Sequence, residues 1–217
     1  MAENNVINKQ TEGLLVNKAS GDPFVNFQIA STDEFVIGVD DDDSDALKIN
    51  QGGASPSAGT NTWKMTAAGE LTMPTQSAFK AHLGTTATNV TGDGTSYTAI
   101  FNTEIYDQNA DYNNATGVYT CPVTSKCQFN STLELGGLAA AHTSGTFSLV
   151  TSNYTYIMLR DVSVVRTAAN TEGITLSGCC EMDAADTAYV TILISGGALA
   201  VDVILGAPTF FDGTIFC

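Results

Sequence analysis

"FNTEIYDQNADYNNATGVYTCPVTSKCQFNSTLEL", residues 101–135, alternates apolar and polar side chains around a tight succession of Tyr, Asn, Gly, Tyr and Pro. Period-two alternation is the pattern of half-buried strands, and Asn, Gly and Pro between such runs mark turns. The segment therefore reads as strands joined by a constrained turn. It offers no nucleophile beside a base and no metal cage, so its residue types point to folding and assembly rather than to catalysis.

The same pattern extends outward. Downstream, "SAFKAHL", "YTAIFNTEIY", "GVYTC", "KCQFNSTLEL", "TFSLVT", "YIMLRDVSVVRT", "GITLSGCCEM", "TAYVTILIS", "ALAVDVILG" and "TFFDGTIF" follow one another at sandwich spacing. No long helix-period segment interrupts them, and Gly136-Gly137 weaken the short helical candidate "LGGLAAAH". The most apolar stretch, "AYVTILISGGALAVDVILGA" (188–207), is split by Gly196-Gly197 and carries Asp202. It reads as a buried hairpin, and no membrane insertion is expected.

Upstream of "LTMPTQSAF" (71–79), where Pro74 interrupts the pattern, lie "FVNFQIAS", "EFVIGVD", "ALKIN", "TWKMTA" and "GELTM". Turn formers such as "DDDDSD" and "NQGGASPSAGTN" separate these short runs. A segment this small needs partner chains or a neighbouring domain to complete its core. Two domains are expected: residues 1–75, an arm to about Thr11 followed by a small β attachment or stalk segment, and residues 76–217, an all-β sandwich.

Composition narrows the function classes. Eight basic against 23 acidic residues give a net charge of −15, which repels phosphate backbones, so no nucleic-acid partner is expected. The N-terminus lacks a basic start followed by an apolar run, and no signal peptide is expected. Five cysteines exclude a complete intrachain disulfide framework. Adjacent Cys179 and Cys180 do not bridge each other without strain, and two histidines give no Cys/His zinc spacing. Reduced, mostly buried thiols are the reading, with a Cys121–Cys127 link left open.

Candidate sites are few. Asp41, Asp43 and Asp45 occupy positions 1, 3 and 5 of a calcium-loop spacing, but position 6 is Ala46 and position 12 is Gly52. That loop is excluded; an acidic solvated turn is the default and a looser oxygen site shared among chains the alternative. No metal or other cofactor is expected. His142 and Ser144 lack a nucleophile-elbow setting, and Asp183 and Asp186 read as turn carboxylates making Asx-type bonds. No P-loop or dinucleotide fingerprint is present, and no enzymatic activity is expected. Sequons at Asn89, Asn114, Asn130 and Asn153 read as Asn-Thr-rich turns. Tyr154 and Tyr156 in "SNYTYIM", with Asn153, suit sugar or protein recognition; packing of alternate tyrosines into the sandwich is the competing reading. The loop around Asn170 and Thr171 is a further candidate.

The opening stretch resembles the globular head domain of complement-type proteins, a ten-strand jelly roll shared with tumour-necrosis-factor-like cytokines. The resemblance is carried by Phe101, Tyr106-Asp107, Tyr112-Asn113, Thr116-Gly117-Val118-Tyr119-Thr120, Pro122 and Cys127-Gln128-Phe129. Further on, "MDAADTAYVTILISGG" and the closing Phe211, Gly213, Ile215 and Phe216 continue it over roughly 77–217. It departs at Ser125, where the pattern has a turn glycine, and at Cys127, where it has an aromatic. The resemblance implies a core role for Phe101, Phe129, Phe211 and Phe216, and a homotrimeric head. "FVIGVDDDDSDALKINQGG…TWKMTAAGELTMPTQSAF" is similar to segments of bacteriophage tail-fibre and receptor-binding proteins. Together the two imply a virion protein made in a host cytoplasm. Its N-terminal region would contact other tail or capsid proteins, and its head a host-surface glycan or protein. The alternative is a capsid or tail decoration protein that contacts no receptor.

Overall fold

Alternation along the chain becomes ladder pairing in the computed structural model, which describes residues 8–10 and 13–216. The chain divides into two compact units, 1–76 and 77–217. Residues 1–7 and 11–12 of the expected arm lie outside the described ones. Within the arm, β1 (Asn8–Gln10) pairs with β2 (Gly13–Leu15).

The rest of the first unit is one five-stranded antiparallel meander: β3 (Phe24–Ile29), β4 (Thr32–Asp40), β5 (Ala46–Gln51), β6 (Thr60–Met65) and β7 (Leu71–Thr72). Ala30 and Ser31 take positive φ (50° and 66°), the geometry of a two-residue hairpin turn. Directly paired residues share a face, so the register sorts the side chains. One face carries the rows Val25–Ile37–Ile49–Trp63, Val39–Leu47–Met65–Leu71 and Phe27–Phe35–Gln51–Thr60. The other carries Phe24–Gly38–Lys48–Lys64 and Asn26–Val36–Asn50–Asn61. The loop 52–59 folds over this second, more polar face. Asn50 Nδ2 donates to the Pro56 and Ala58 carbonyls (2.6 and 2.7 Å). A Cβ at Gly38 would lie 2.6 Å from the Pro56 ring, so only glycine fits there.

The second unit holds thirteen strands: β8 (Ala78–Leu83), β9 (Ala87–Thr91), β10 (Ser96–Thr98), β11 (Thr103–Gln108), β12 (Tyr112–Asn113), β13 (Val118–Thr120), β14 (Ser125–Gly136), β15 (Ser144–Thr151), β16 (Thr155–Arg160), β17 (Glu172–Met182), β18 (Thr187–Ser195), β19 (Val201–Val203) and β20 (Gly206–Ile215). One sheet runs β12-β13-β18-β15-β16, with β10 also on β18. The other runs β11-β8-β20-β14, with β17 on the far side of β14 and β19 and β9 continuing from its end. The chain crosses repeatedly between the layers, which makes the unit an all-β jelly-roll sandwich.

The motif residues of 101–135 build its core. Phe79, Phe101, Tyr112, Tyr119, Phe129 and Phe211 are all buried. Phe79 stacks on Tyr112 at 4.6 Å between ring centroids and meets Phe211 edge-on at 5.0 Å. Each such ring contributes roughly 1.5–3 kcal/mol through burial. Both phenols keep a partner: Tyr112 donates to the Phe101 carbonyl (3.0 Å), and Tyr119 shares a hydrogen bond with Ser77 (3.0 Å). The Asp107 carboxylate accepts the backbone N–H groups of Asp111 and Tyr112 (3.2 and 3.1 Å), tying down a turn in which Asn109 and Ala110 have positive φ. Gly117, at φ 75°, sits where a Cβ would lie 2.7 Å from the Ala99 carbonyl oxygen.

Four expectations change. The 188–207 stretch is not a hairpin: β18 and β19 belong to different sheets, and Gly196-Gly197 lie at the crossover. "YIMLRDVSVVRT" is not one strand, because Asp161 caps a single helical turn, α1 (Val162–Val165), by accepting from the Ser163 N–H (3.1 Å). "YTAIFNTEIY" breaks into β10 and β11, with Ala99 and Phe101 buried between them. Phe216 is 44 % exposed and stands outside the core, whereas Phe101, Phe129 and Phe211 lie within it.

Candidate recognition surface

The β15–β16 connection presents the first three candidates. Thr151 fixes it from both sides, donating its N–H to the Tyr154 carbonyl (2.8 Å) while its hydroxyl accepts the Tyr154 N–H (2.9 Å). This closure leaves Tyr154 62 % exposed at the tip. Asn153 reaches across to the next connection, donating to the Asp186 carboxylate (2.8 Å) and, at 3.3 Å, to the Glu181 carbonyl. Tyr156 lies two residues beyond Tyr154, packs against the core and donates its hydroxyl to the Cys179 carbonyl (2.8 Å). Its phenol is raised above the ordinary tyrosine range, first by burial. The competing readings of the two tyrosines thus divide: Tyr156 packs inward and Tyr154 faces out, with ring centroids 6.5 Å apart.

Asn153, Tyr154, Glu181 and Asp183 line a cleft of about 400 Å³. Its far wall is the 183–186 turn, where the Asp186 carboxylate accepts the Asp183 N–H (2.9 Å) and Thr124 donates to Asp183 (3.3 Å). An exposed phenol, an amide and two carboxylates give the cleft hydrogen-bonding capacity with one aromatic face. That is the chemistry of polyhydroxyl or polar peptide recognition. Glu181 was not among the expected site residues; its place beside Tyr154 comes from sheet packing, which local pattern does not encode.

Asn170 and Thr171 do not join this cleft. They form a turn ahead of β17: Arg166 donates to Asn170 (2.9 Å), the Thr167 N–H to the Thr171 carbonyl (2.8 Å) and Leu138 N–H to the Asn170 carbonyl (3.0 Å). Glu181 lies nine residues beyond Glu172 on β17, roughly 30 Å at 3.3 Å per residue. The five candidates therefore fall into two separate places.

The acidic run behaves as a turn tied down by its own carboxylates. Asp43 turns to Lys48 and Lys64 (both 2.7 Å), and its carboxyl is held down at about 2, chiefly by hydrogen bonding to Lys48 and then to Lys64. Asp41, Asp43 and Asp45 do not converge. Asp22, Asp40 and Asp41 do, but protein donors occupy their oxygens: Asp22 accepts from Asp41 N–H and Ser57, Asp40 from Asp42 N–H and Lys48, and Asp41 from Gly21 N–H. His142 is buried, its Nδ1 accepts the Ala139 N–H (2.8 Å), and its Nε2 donates to the Ala198 carbonyl (3.1 Å), so both nitrogens serve the backbone rather than Ser144. Cys121, Cys127 and Cys180 are buried free thiols and Cys179 is exposed. The Cys121 and Cys127 sulfurs lie 3.7 Å apart. Among the described residues no helix is long and apolar enough to cross a membrane.

No protein-family model matches the chain, and no curated protein does. Among solved structures it is similar to the globular domain of zebrafish complement 1qA protein, at 14 % identity over 65 % of this chain and 98 % of that one, with a TM-score of 0.46. It is also similar to murine APRIL at pH 8.5, at 11 % identity over 65 % of this chain and 99 % of that one, with a TM-score of 0.43. For murine APRIL at pH 5.0 the identity is 10 %, the coverage 65 % and 99 %, and the TM-score 0.46. The jelly-roll assignment rests on the strand order itself.

Proposed function

We propose that this chain is a structural virion protein: a trimeric, tail-fibre-like adhesin whose jelly-roll head binds a host-surface glycan or protein without catalysing a reaction. The observation that carries the reading is the cleft at Asn153 and Tyr154, an exposed aromatic residue on a hydrogen-bonded turn beside amide and carboxylate groups. Trimer formation is supported by the edge strand β16, where Ile157 and Leu159 are both exposed on an open ladder. An apolar open edge is a liability unless another chain covers it. Threefold repetition then multiplies a weak contact into a strong one. The virion setting, and attachment through the N-terminal region to other particle proteins, follow from the resemblance of residues 35–79 to tail-fibre segments.

Light scattering of the full chain tests the assembly, with a trimer expected and a smaller mass for Leu159→Asp. Selective binding to host cells or arrayed glycans, lost in Tyr154→Ala without loss of fold, tests the adhesin. A monomeric chain would remove the trimer. Binding confined to particle components would replace the adhesin with a decoration protein.

A further inference from the structure

The first unit is covered on the unexpected side. Asn50 is buried beneath the 52–59 loop, with Asp40 and Lys48 buried on the same face, while the three apolar rows on the opposite face are half-buried or exposed. On that face Val25, Phe27, Phe35, Ile37 and Leu71 are each 37–52 % exposed. The two phenylalanines, at roughly 150–250 Å² each, and the three smaller aliphatic side chains together leave on the order of 450 Å² of apolar surface in contact with solvent. Half-buried Trp63, Ile49 and their neighbours add to it. A patch of this size matches the largest on a typical monomer, which is often functional, and is more than half of the ~800 Å² per partner of a standard interface.

We infer that this face is a self-association surface, covered by the same sheet face of a second copy of the chain (or of two copies, about a threefold axis). Charge selects that occupant. The chain carries 23 acidic residues against eight basic ones, so most of its surface repels a second copy. The three rows contain no charged residue: their only polar members are Gln51 and Thr60. This face therefore meets its own copy without like-charge opposition. The inference stands on the N-terminal sheet alone and does not require the head to be the assembling unit.

Trp63, the single tryptophan of the chain, ends the central row of the face and reports on it directly. The experiment combines acrylamide quenching of Trp63 with sedimentation of the full-length protein over a dilution series. Trp63 is expected to be shielded in the oligomer and to become quenchable as the sheets part. Gln51→Lys with Thr60→Lys places two like charges per copy on the face at exposed positions where folding tolerates them. It is expected to raise the concentration at which Trp63 becomes exposed by roughly tenfold or more, with the far-ultraviolet circular dichroism unchanged. Phe35→Asp is expected to act in the same direction and more strongly. Free quenching of Trp63 in a concentrated wild-type oligomer would overturn the inference. So would shielding that persists in a sedimenting monomer, because the cover would then lie within one chain. If the lysine variant keeps its mass while Trp63 opens, the head alone holds the oligomer and the sheet contact stands as a separate interface. If the mass falls although Trp63 was never shielded, the sheet proposal fails and the oligomer rests on other contacts.

Discussion

Gly213→Ala should destabilise the head through sterics alone, and the structure sets the size. Gly213 on β20 stands between Phe79 on β8 and Phe129 on β14, each its direct cross-strand neighbour. An added Cβ would lie 2.5 and 2.6 Å from two ring atoms of Phe129 and 2.7 Å from one of Phe79. The backbone there is ordinary extended strand, so no left-handed conformation enters. Neither ring has room to retreat: both are fully buried, Phe79 is stacked on Tyr112, and Phe129 meets Tyr119 edge-on at 5.3 Å. Overpacking a tight core costs about 1–3 kcal/mol, and three contacts this short put the cost at the upper end. Alanine returns roughly 0.4–1 kcal/mol by restricting the unfolded chain. The net loss is about 2 kcal/mol, a fall of roughly 6 °C in the thermal transition of a domain this size.

The control is a double-mutant cycle with Phe129→Leu, which removes the ring atoms nearest the new methyl. Alone, Phe129→Leu loses buried area and costs about 1–2 kcal/mol. Combined with Gly213→Ala it should cost at least ~1 kcal/mol less than the sum, because the two changes share one space. Denaturant melts of the full chain measure all four corners. A Gly213→Ala protein within ~0.5 kcal/mol of wild type, or strict additivity in the cycle, would refute the packing argument and the role given to Gly213.

Acid should loosen the N-terminal sheet before the head. Asp43 is held at about 2 by Lys48 and then Lys64. Its stabilisation is thus complete above the ordinary carboxylate range and lost as pH falls from near 4 through about 2; Trp63 emission should follow that loss, and Asp43→Asn should flatten it. Among the described cysteines, thiol labelling under native conditions should reach exposed Cys179 first, because burial pushes Cys127 up to about 12 and Cys180 to about 11; peptide mapping that finds Cys127 labelled as fast as Cys179 would contradict this. His142→Ala should cost about 1–3 kcal/mol by orphaning the Ala139 N–H and the Ala198 carbonyl, and a melt within error of wild type would show these groups satisfied elsewhere.

The head was legible where local pattern and turn chemistry agree. Tyr112, Gly117, Tyr119 and Phe129 fall where residues 101–135 place them, because a strand's alternation fixes its faces and a positive-φ glycine fixes its turn. The 188–207 stretch was legible as strand but not as to sheet. Nothing in "ILISGGALAVDV" states that β19 pairs with β14 and β9, residues far away in sequence. Around α1 two local signals compete: β-branched Val162, Val164 and Val165 read as strand, while the Asp161 cap closes a helical turn too short for any period to register. The cleft was half legible. Asn153 and Tyr154 were visible as exposed-type residues in a turn, but Glu181 and Asp186 reach them only through contacts 28 and 33 residues apart.

The N-terminal sheet shows a further limit, since alternation says that one face is apolar without saying which face the chain itself covers. Here a polar device decides. Asn50 binds two carbonyls of the 52–59 loop, and Gly52, Gly53 and Gly59 supply the positive φ values that bend it back. The loop therefore lands on the side of Lys48 and Asp40. Two copies that each cover ~450 Å² bury ~900 Å² together, on the order of 22 kcal/mol at 25 cal/mol per Å² as an upper bound. Association costs about 4–15 kcal/mol, and side-chain ordering and imperfectly paired polar groups take a further share. Only the surplus holds the sheets together, so the contact depends on concentration. A head that trimerises as proposed would hold the sheets at high effective concentration, and each weak interface would then complete the other.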